Sequence, residues 1–172
     1  MSTELKLPAL RGLGTLADHK PAIVVDSREQ QPLSFSRLPA IRGALLTGDY
    51  SVLGLQELFA VARKSISDLV GYCIGQNRER VERELHRLRG FRFKRLLVIG
   101  TEAEILEGRY RSNVKPAAVW GTLATVEVRY DIPIVFCETP ERAGRLIERW
   151  AFYFAREMVE VVNDLRRGVD QL

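Results

Sequence analysis

A chain of 172 residues with 46% hydrophobic and 28% charged positions has room for one domain with its own core and too little for two. A formal charge of +4 and a pI near 9.3 permit a polyanionic partner without demanding one. Two isolated cysteines (Cys73, Cys137) and two scattered histidines (His19, His86) exclude a zinc-binding spacing and a disulfide framework, and suit a reducing cytoplasm.

Residues 1–20, rich in Leu, Gly and Pro, read as a loosely ordered arm, and residues 21–172 as a single domain. The start "MSTELKLPAL" lacks the charged-then-apolar pattern of a signal peptide. "AIVVDS" (22–27) is a short β-branched run that suits a buried strand. "QQPLSFSRLP" is broken by two prolines and reads as irregular chain. "ALLTGDYSVLG" reads as a strand, a glycine turn and a second strand, and "LFAVARK" as the next, so that the four runs suggest a small meander.

Ser65 and Asp68 match a capping box and predict a helix start. Val81, Leu85 and Leu88 recur at helical spacing within "VERELHRLR", and "RLLVIG" is again a buried-strand pattern. "KPAAVWGTLATVEVRY" predicts a helix with Pro116 in its first turn, followed by the strand "IPIVFC". Thr139-Pro140-Glu141 predicts the last helix, from about residue 140. Its apolar stripe runs from Ile147 through Trp150, Ala151, Phe154, Met158, Val161 and Val162 to Leu165. Arg156, Glu157 and Glu160 interrupt this most apolar stretch, so no membrane span and no membrane partner is expected. Strands first and strand–helix alternation later predict an α/β fold with a mixed central sheet flanked by helices.

Three charged clusters fall at strand ends: "VDSRE" (25–29), "TGDY" (47–50) and "ARKSISD" (62–68). Residues 62 and 64 share one strand face and residue 63 takes the other. Carboxylates from neighbouring strands with a lysine nearby suit a hard divalent cation and a phosphate. Taken singly, Asp49 after Gly48 reads as a turn residue, Ser65 and Asp68 as helix caps, and Lys64 as a surface lysine. The three blocks together read differently.

"TGDY" followed by "VARKSISDLVG" resembles the signature of the XPF family of structure-specific DNA endonucleases: Gly-Asp, a spacer, then Glu-Arg-Lys-x-x-x-Asp. "VVDSRE" resembles the family's first block, and the likeness spans roughly residues 21–140. It implies a restriction-endonuclease-like core and cleavage of branched or otherwise structured DNA with Mg²⁺ or Mn²⁺, with no small-molecule cofactor. By position, it makes Asp49, residue 62 and the carbonyl of Arg63 the metal ligands. Lys64 orients the attacking water or steadies a phosphate. Asp26, Glu29 and Asp68 complete the acidic site, while Arg28 and Arg63 anchor phosphate or brace the carboxylates. A stand-alone nuclease, nucleoid-associated or phage-encoded, is the expectation, since 172 residues leave no room for a tandem helix-hairpin-helix module.

The departure is Ala62, which stands where the signature has its glutamate and has no ligand atom. Nothing nearby takes its place: Glu57 lies five positions upstream and out of register. An engineered, disarmed enzyme is favoured over a naturally inactive DNA-binding or scaffold subunit, because every other signature residue remains. Beyond the signature, "NRERVERELHRLRGFRFKR" begins as a solvated face with pairs such as Glu79 and Arg83. Arg78 or Arg80 is the family's site-facing arginine, and Arg89, Arg92 and Arg95 are candidates for phosphate contact. A homodimer is expected, joined through Phe154, Met158 and Val161 of the last helix and Trp120 and Leu123 of the helix before it.

Overall fold

The computed structural model describes residues 20–75 and 78–170, so the expected arm lies, apart from Lys20, outside the described residues. Six strands form one mixed sheet: β1 (Ile23–Asp26), β2 (Ala40–Gly43), β3 (Tyr50–Val52), β4 (Phe59–Ser65), β5 (Phe93–Ile99) and β6 (Ile134–Cys137). Their spatial order is β2-β1-β3-β4-β5-β6. The pairs β1–β2, β4–β5 and β5–β6 run parallel, and β3 is antiparallel to both its neighbours. The helices are α1 (Ile66–Tyr72), α2 (Arg78–Arg89), α3 (Glu102–Leu106), α4 (Pro116–Tyr130) and α5 (Pro140–Val169).

Alternation along β4 and β5 divides the core in two. Ala60, Ala62, Leu96 and Val98 face the apolar sides of α1 to α4. Phe59, Val61 and Leu97 face α5, where Ile147, Ala151 and Phe154 cover them. Both sheet faces are therefore buried, as parallel strands require. The expected α/β sandwich with a mixed central sheet is what forms.

The helix caps follow the sequence closely. Ser65 and Asp68 make the reciprocal capping box that opens α1. The Thr139 hydroxyl accepts from the Arg142 N–H at 3.2 Å and Pro140 opens α5. Helix α3 was not foreseen, although Thr101 and Glu104 form the same kind of box that marks α1.

One strand assignment needs correction. The stretch 44–49 is not a strand; it carries the chain across the end of β1, from β2 on one side to β3 on the other. Leu45 is pinned there, its N–H donating to Asp26 Oδ2 and its carbonyl accepting from Arg28. The missed strand is β2, just upstream and parallel to β1, so that only β1, β3 and β4 form a meander.

Residues 27–39 are irregular, as their prolines indicated, but they are firmly held. The N–H groups of Arg37 and Leu38 donate to Glu148 Oε1 at 2.6 and 3.1 Å. Gly144 of α5 lies so close to this segment that a Cβ there would sit 2.3 Å from the Ser34 carbonyl oxygen. The segment's first residues, Arg28 to Gln31, line the cavity beside β4.

Candidate active site

Gly48 adopts φ +80°, and a Cβ there would meet the Val61 carbonyl at 3.1 Å. This left-handed turn delivers Asp49 to the start of β3. The Asp49 N–H donates to the Val61 carbonyl at 2.8 Å, and β3 begins at the next residue with Tyr50 paired to Val61, so Asp49 lies against residues 61–63 of β4. Asp49 is thus both a turn residue and a site residue. One of its oxygens accepts from the Arg63 N–H at 2.7 Å. Burial raises its pKa to about 6, with help from the charges of Glu29 and Glu84 and against the Arg63 bond and Lys64.

Lys64 lies on the face of β4 that carries Ala62, and its ammonium sits 2.9 Å from Glu84 Oε1 of α2. It also lies 5.5 Å from the centre of the Tyr72 ring. Burial works to lower the lysine's pKa, but the negative groups around it prevail and the net shift is upward. Glu84 is a carboxylate that the reading of the strands did not place here, and it pairs with Lys64 rather than replacing the missing ligand. A search along the strand could not reveal it, because α2 brings it over the sheet. Its position in "VERELHRLR", one residue before the buried Leu85, was the available signal.

The remaining carboxylates are bound up in the frame. Asp26 accepts from the Arg28 guanidinium at 2.9 and 2.7 Å, which holds its pKa low despite burial. Glu29 takes a bidentate bond from Arg63, both contacts at 2.9 Å, and its pKa ends below normal although burial opposes this. Arg42 ties the two residues together through their backbone carbonyls. Asp68 is spent on its cap, accepting from the Ser65 N–H and hydroxyl. Arg63 therefore braces a carboxylate, while Arg28 braces one and still exposes most of its side chain.

These groups surround a cavity of about 540 Å³ lined by Asp49, Arg63, Lys64, Asp68, Tyr72 and Arg80, with Arg28 and Glu29 at its rim. The two arginine candidates separate here. Arg80 lines this cavity, whereas Arg78 pairs with Glu82 and lines a different groove, between α2 and α4. The structure does not bring Arg89, Arg92 and Arg95 to the cavity. Arg89 ends α2, Arg92 precedes β5, and Arg95, paired with Val61 inside β5, lies on the α5-facing side of the sheet. Arg95 is stacked on Phe93, 4.4 Å from the ring centre, and near Trp150.

A divalent cation needs several oxygen donors converging on one point. Ala62 is 1% exposed and packs among Ala60, Leu96 and Val98, contributing no oxygen. Among the described residues no group of three or more His, Cys, Asp or Glu side chains could hold a metal ion. With alanine at position 62, the donor set does not fit Mg²⁺ or Mn²⁺.

The comparisons agree with the geometry. The ERCC4 domain family matches residues 25–149, well over half of the chain. No curated protein matches. Among solved structures, the chain is similar to XPF from Aeropyrum pernix, with TM-score 0.61 and 22% identity over 82% of this chain and 68% of that one. It is also similar to XPF from the same organism in complex with DNA, with TM-score 0.62 and 21% identity over 80% of this chain and 66% of that one. This chain therefore spans about two thirds of either relative, and the likeness is one of fold. The blocks around Asp26, Asp49 and Lys64 all lie within the family match, on the fold that the XPF structures share: the chain belongs to the ERCC4 domain family, with alanine at position 62.

Proposed function

We propose that this chain binds DNA across the Asp49 cavity and is a disarmed form of a Mg²⁺- or Mn²⁺-dependent endonuclease acting on branched or otherwise structured DNA. The observation that supports this most is the register of β3 on β4. It sets Asp49 beside residue 62, with Lys64 next along the same face. The Asp49 carboxylate accepts from the N–H of Arg63, the residue after position 62, so a glutamate at 62 would bring a second carboxylate close enough to share one cation. Alanine leaves one of them.

In this reading Asp49, a glutamate restored at position 62 and the Arg63 carbonyl would hold a divalent cation, which would supply an activated water and positive charge at the phosphate. Lys64 supplies positive charge to the phosphate. Arg80 and the exposed part of Arg28 fix the DNA backbone at the rim. Asp26, Glu29 and Asp68 act at one remove, by holding Arg28, Arg63 and the start of α1. The relative described in complex with DNA supports the choice of ligand.

The same reading includes a two-fold homodimer, but not through the surface expected from sequence. Trp120 and Leu123 pack on the α1–α4 side of the sheet, and Phe154 packs on the other side against Phe59 and Phe93. They cannot form one patch. The exposed apolar residues of α5 are Tyr153 and, further on, Val161, Val162, Leu165 and Val169; these last four, of which only Val161 belongs to the expected surface, are the proposed contact.

The test uses labelled linear and forked duplexes. The chain should bind both without cutting in Mg²⁺, and Ala62→Glu should cut, with a preference for the fork. Absence of DNA binding, or cleavage that survives EDTA, would overturn the reading.

A further inference from the structure

The strand places Lys64, but nothing on the strand holds it. A lysine has a four-carbon stem and three rotatable donors, so its ammonium sweeps several ångströms unless it is tethered. In this chain the tether comes from the helices. The Glu84 carboxylate meets Nζ at 2.9 Å, and the Tyr72 hydroxyl donates to the second Glu84 oxygen at 3.4 Å. The Tyr72 ring forms a further wall, with Nζ 5.5 Å from its centre. Tyr72 closes α1 and Glu84 lies in the middle of α2. Of the ion pairs among the described residues, this is the one that involves Lys64.

We propose that Glu84 is the positioning residue of this site, fixing the Lys64 ammonium in the cavity beside Asp49 with Tyr72 as its brace. The inference rests on Lys64 being the group that meets the phosphate. A glutamate restored at position 62 would be engaged with Asp49 at the metal, so Glu84 remains the partner of Lys64 whichever residue stands there. The pair is not a surface decoration. Lys64 is 18% exposed and Glu84 23%, and Lys64 and Tyr72, the two groups that Glu84 bonds, line the Asp49 cavity. A displacement of about 1 Å in such a group is enough to slow a reaction by up to about 100-fold.

Two measurements separate this claim from the functional reading beneath it. In the chain as it stands, acetylation of Lys64 by an amine-reactive ester is followed by peptide mass spectrometry against the exposed Lys115. Glu84→Gln should raise Lys64 labelling about fivefold, the scale of one partly exposed ion pair. In the Ala62→Glu background, Glu84→Gln should lower kcat for DNA cleavage by about tenfold or more with KM within about twofold. Glu84→Asp, which keeps the charge, should recover part of that loss, and the melting temperature should not follow it. Unchanged labelling, or a kcat untouched by Glu84→Gln, overturns the proposal. An Ala62→Glu protein inert on all DNA would instead defeat the nuclease reading, and the labelling would still decide whether Glu84 holds Lys64.

Discussion

Asp49 is held charged at a cost to folding, and Asp49→Asn should expose that cost. Its carboxyl titrates near 6 in the folded protein against 3.8 when unperturbed, with burial as the leading cause. Between those values the folded chain binds more protons than the unfolded one, so stability falls as pH rises through the window. At about 1.4 kcal/mol per pH unit, the gap corresponds to at most about 3 kcal/mol lost above pH 6. Solvent in the open cavity screens part of this, so about 1–2 kcal/mol is the working figure. Asparagine keeps an oxygen for the Arg63 N–H and carries no charge. Urea unfolding of the two proteins at pH 8 and pH 4 gives the comparison. The variant should be more stable at pH 8 by about 1–2 kcal/mol, with most of the gain gone at pH 4. A variant no more stable than its parent at pH 8, or a gain equal at both pH values, would refute the reasoning.

The structure separates other residues as sharply. Arg80→Glu should weaken DNA binding about tenfold or more at low salt, while Arg78→Glu, on the far groove, should change it little; equal effects in anisotropy titrations would contradict the placement. Gly48→Ala should cost about 1–3 kcal/mol in urea unfolding, because φ is +80° and the Val61 carbonyl is close. A neutral result there would mean that the turn relaxes. Leu165→Glu should convert a dimer to a monomer in sedimentation at micromolar concentration, and an unaltered dimer would move the contact away from the end of α5.

Local signals carried most of the fold. The caps at Ser65 and Thr139, the proline at 116 and the β-branched runs of β1, β5 and β6 are decided within a few residues, and they form as read. Strand β2 was not legible, because its four residues pair only with β1 and three of them are exposed, leaving no apolar run. Helix α3 carries a local signal in its Thr101–Glu104 box, but it spans only five residues. At the site, Asp49 and Lys64 line one cavity, because neighbouring segments of the sheet carry them to the same place, while Ala62 is buried beneath it. What the spacing could not show was how the other charges are used. Glu29 satisfies Arg63 and Asp26 satisfies Arg28, and Glu84 arrives from a helix whose rotation depends on packing of Val81, Leu85 and Leu88. Arginine counting likewise could not tell that Arg95 folds onto Phe93 rather than reaching for a phosphate.

The central claim is that Asp49 and position 62 form one cation site on a DNA-cutting surface, broken by a single side chain. Cleavage of a forked duplex by Ala62→Glu, measured in Mg²⁺ and in EDTA beside the double variant Ala62→Glu with Asp49→Asn, tests it most directly. The account predicts cuts by the single variant in Mg²⁺ only, and none by the double variant or by the chain with Ala62. Cleavage by the double variant equal to that of the single one would contradict it.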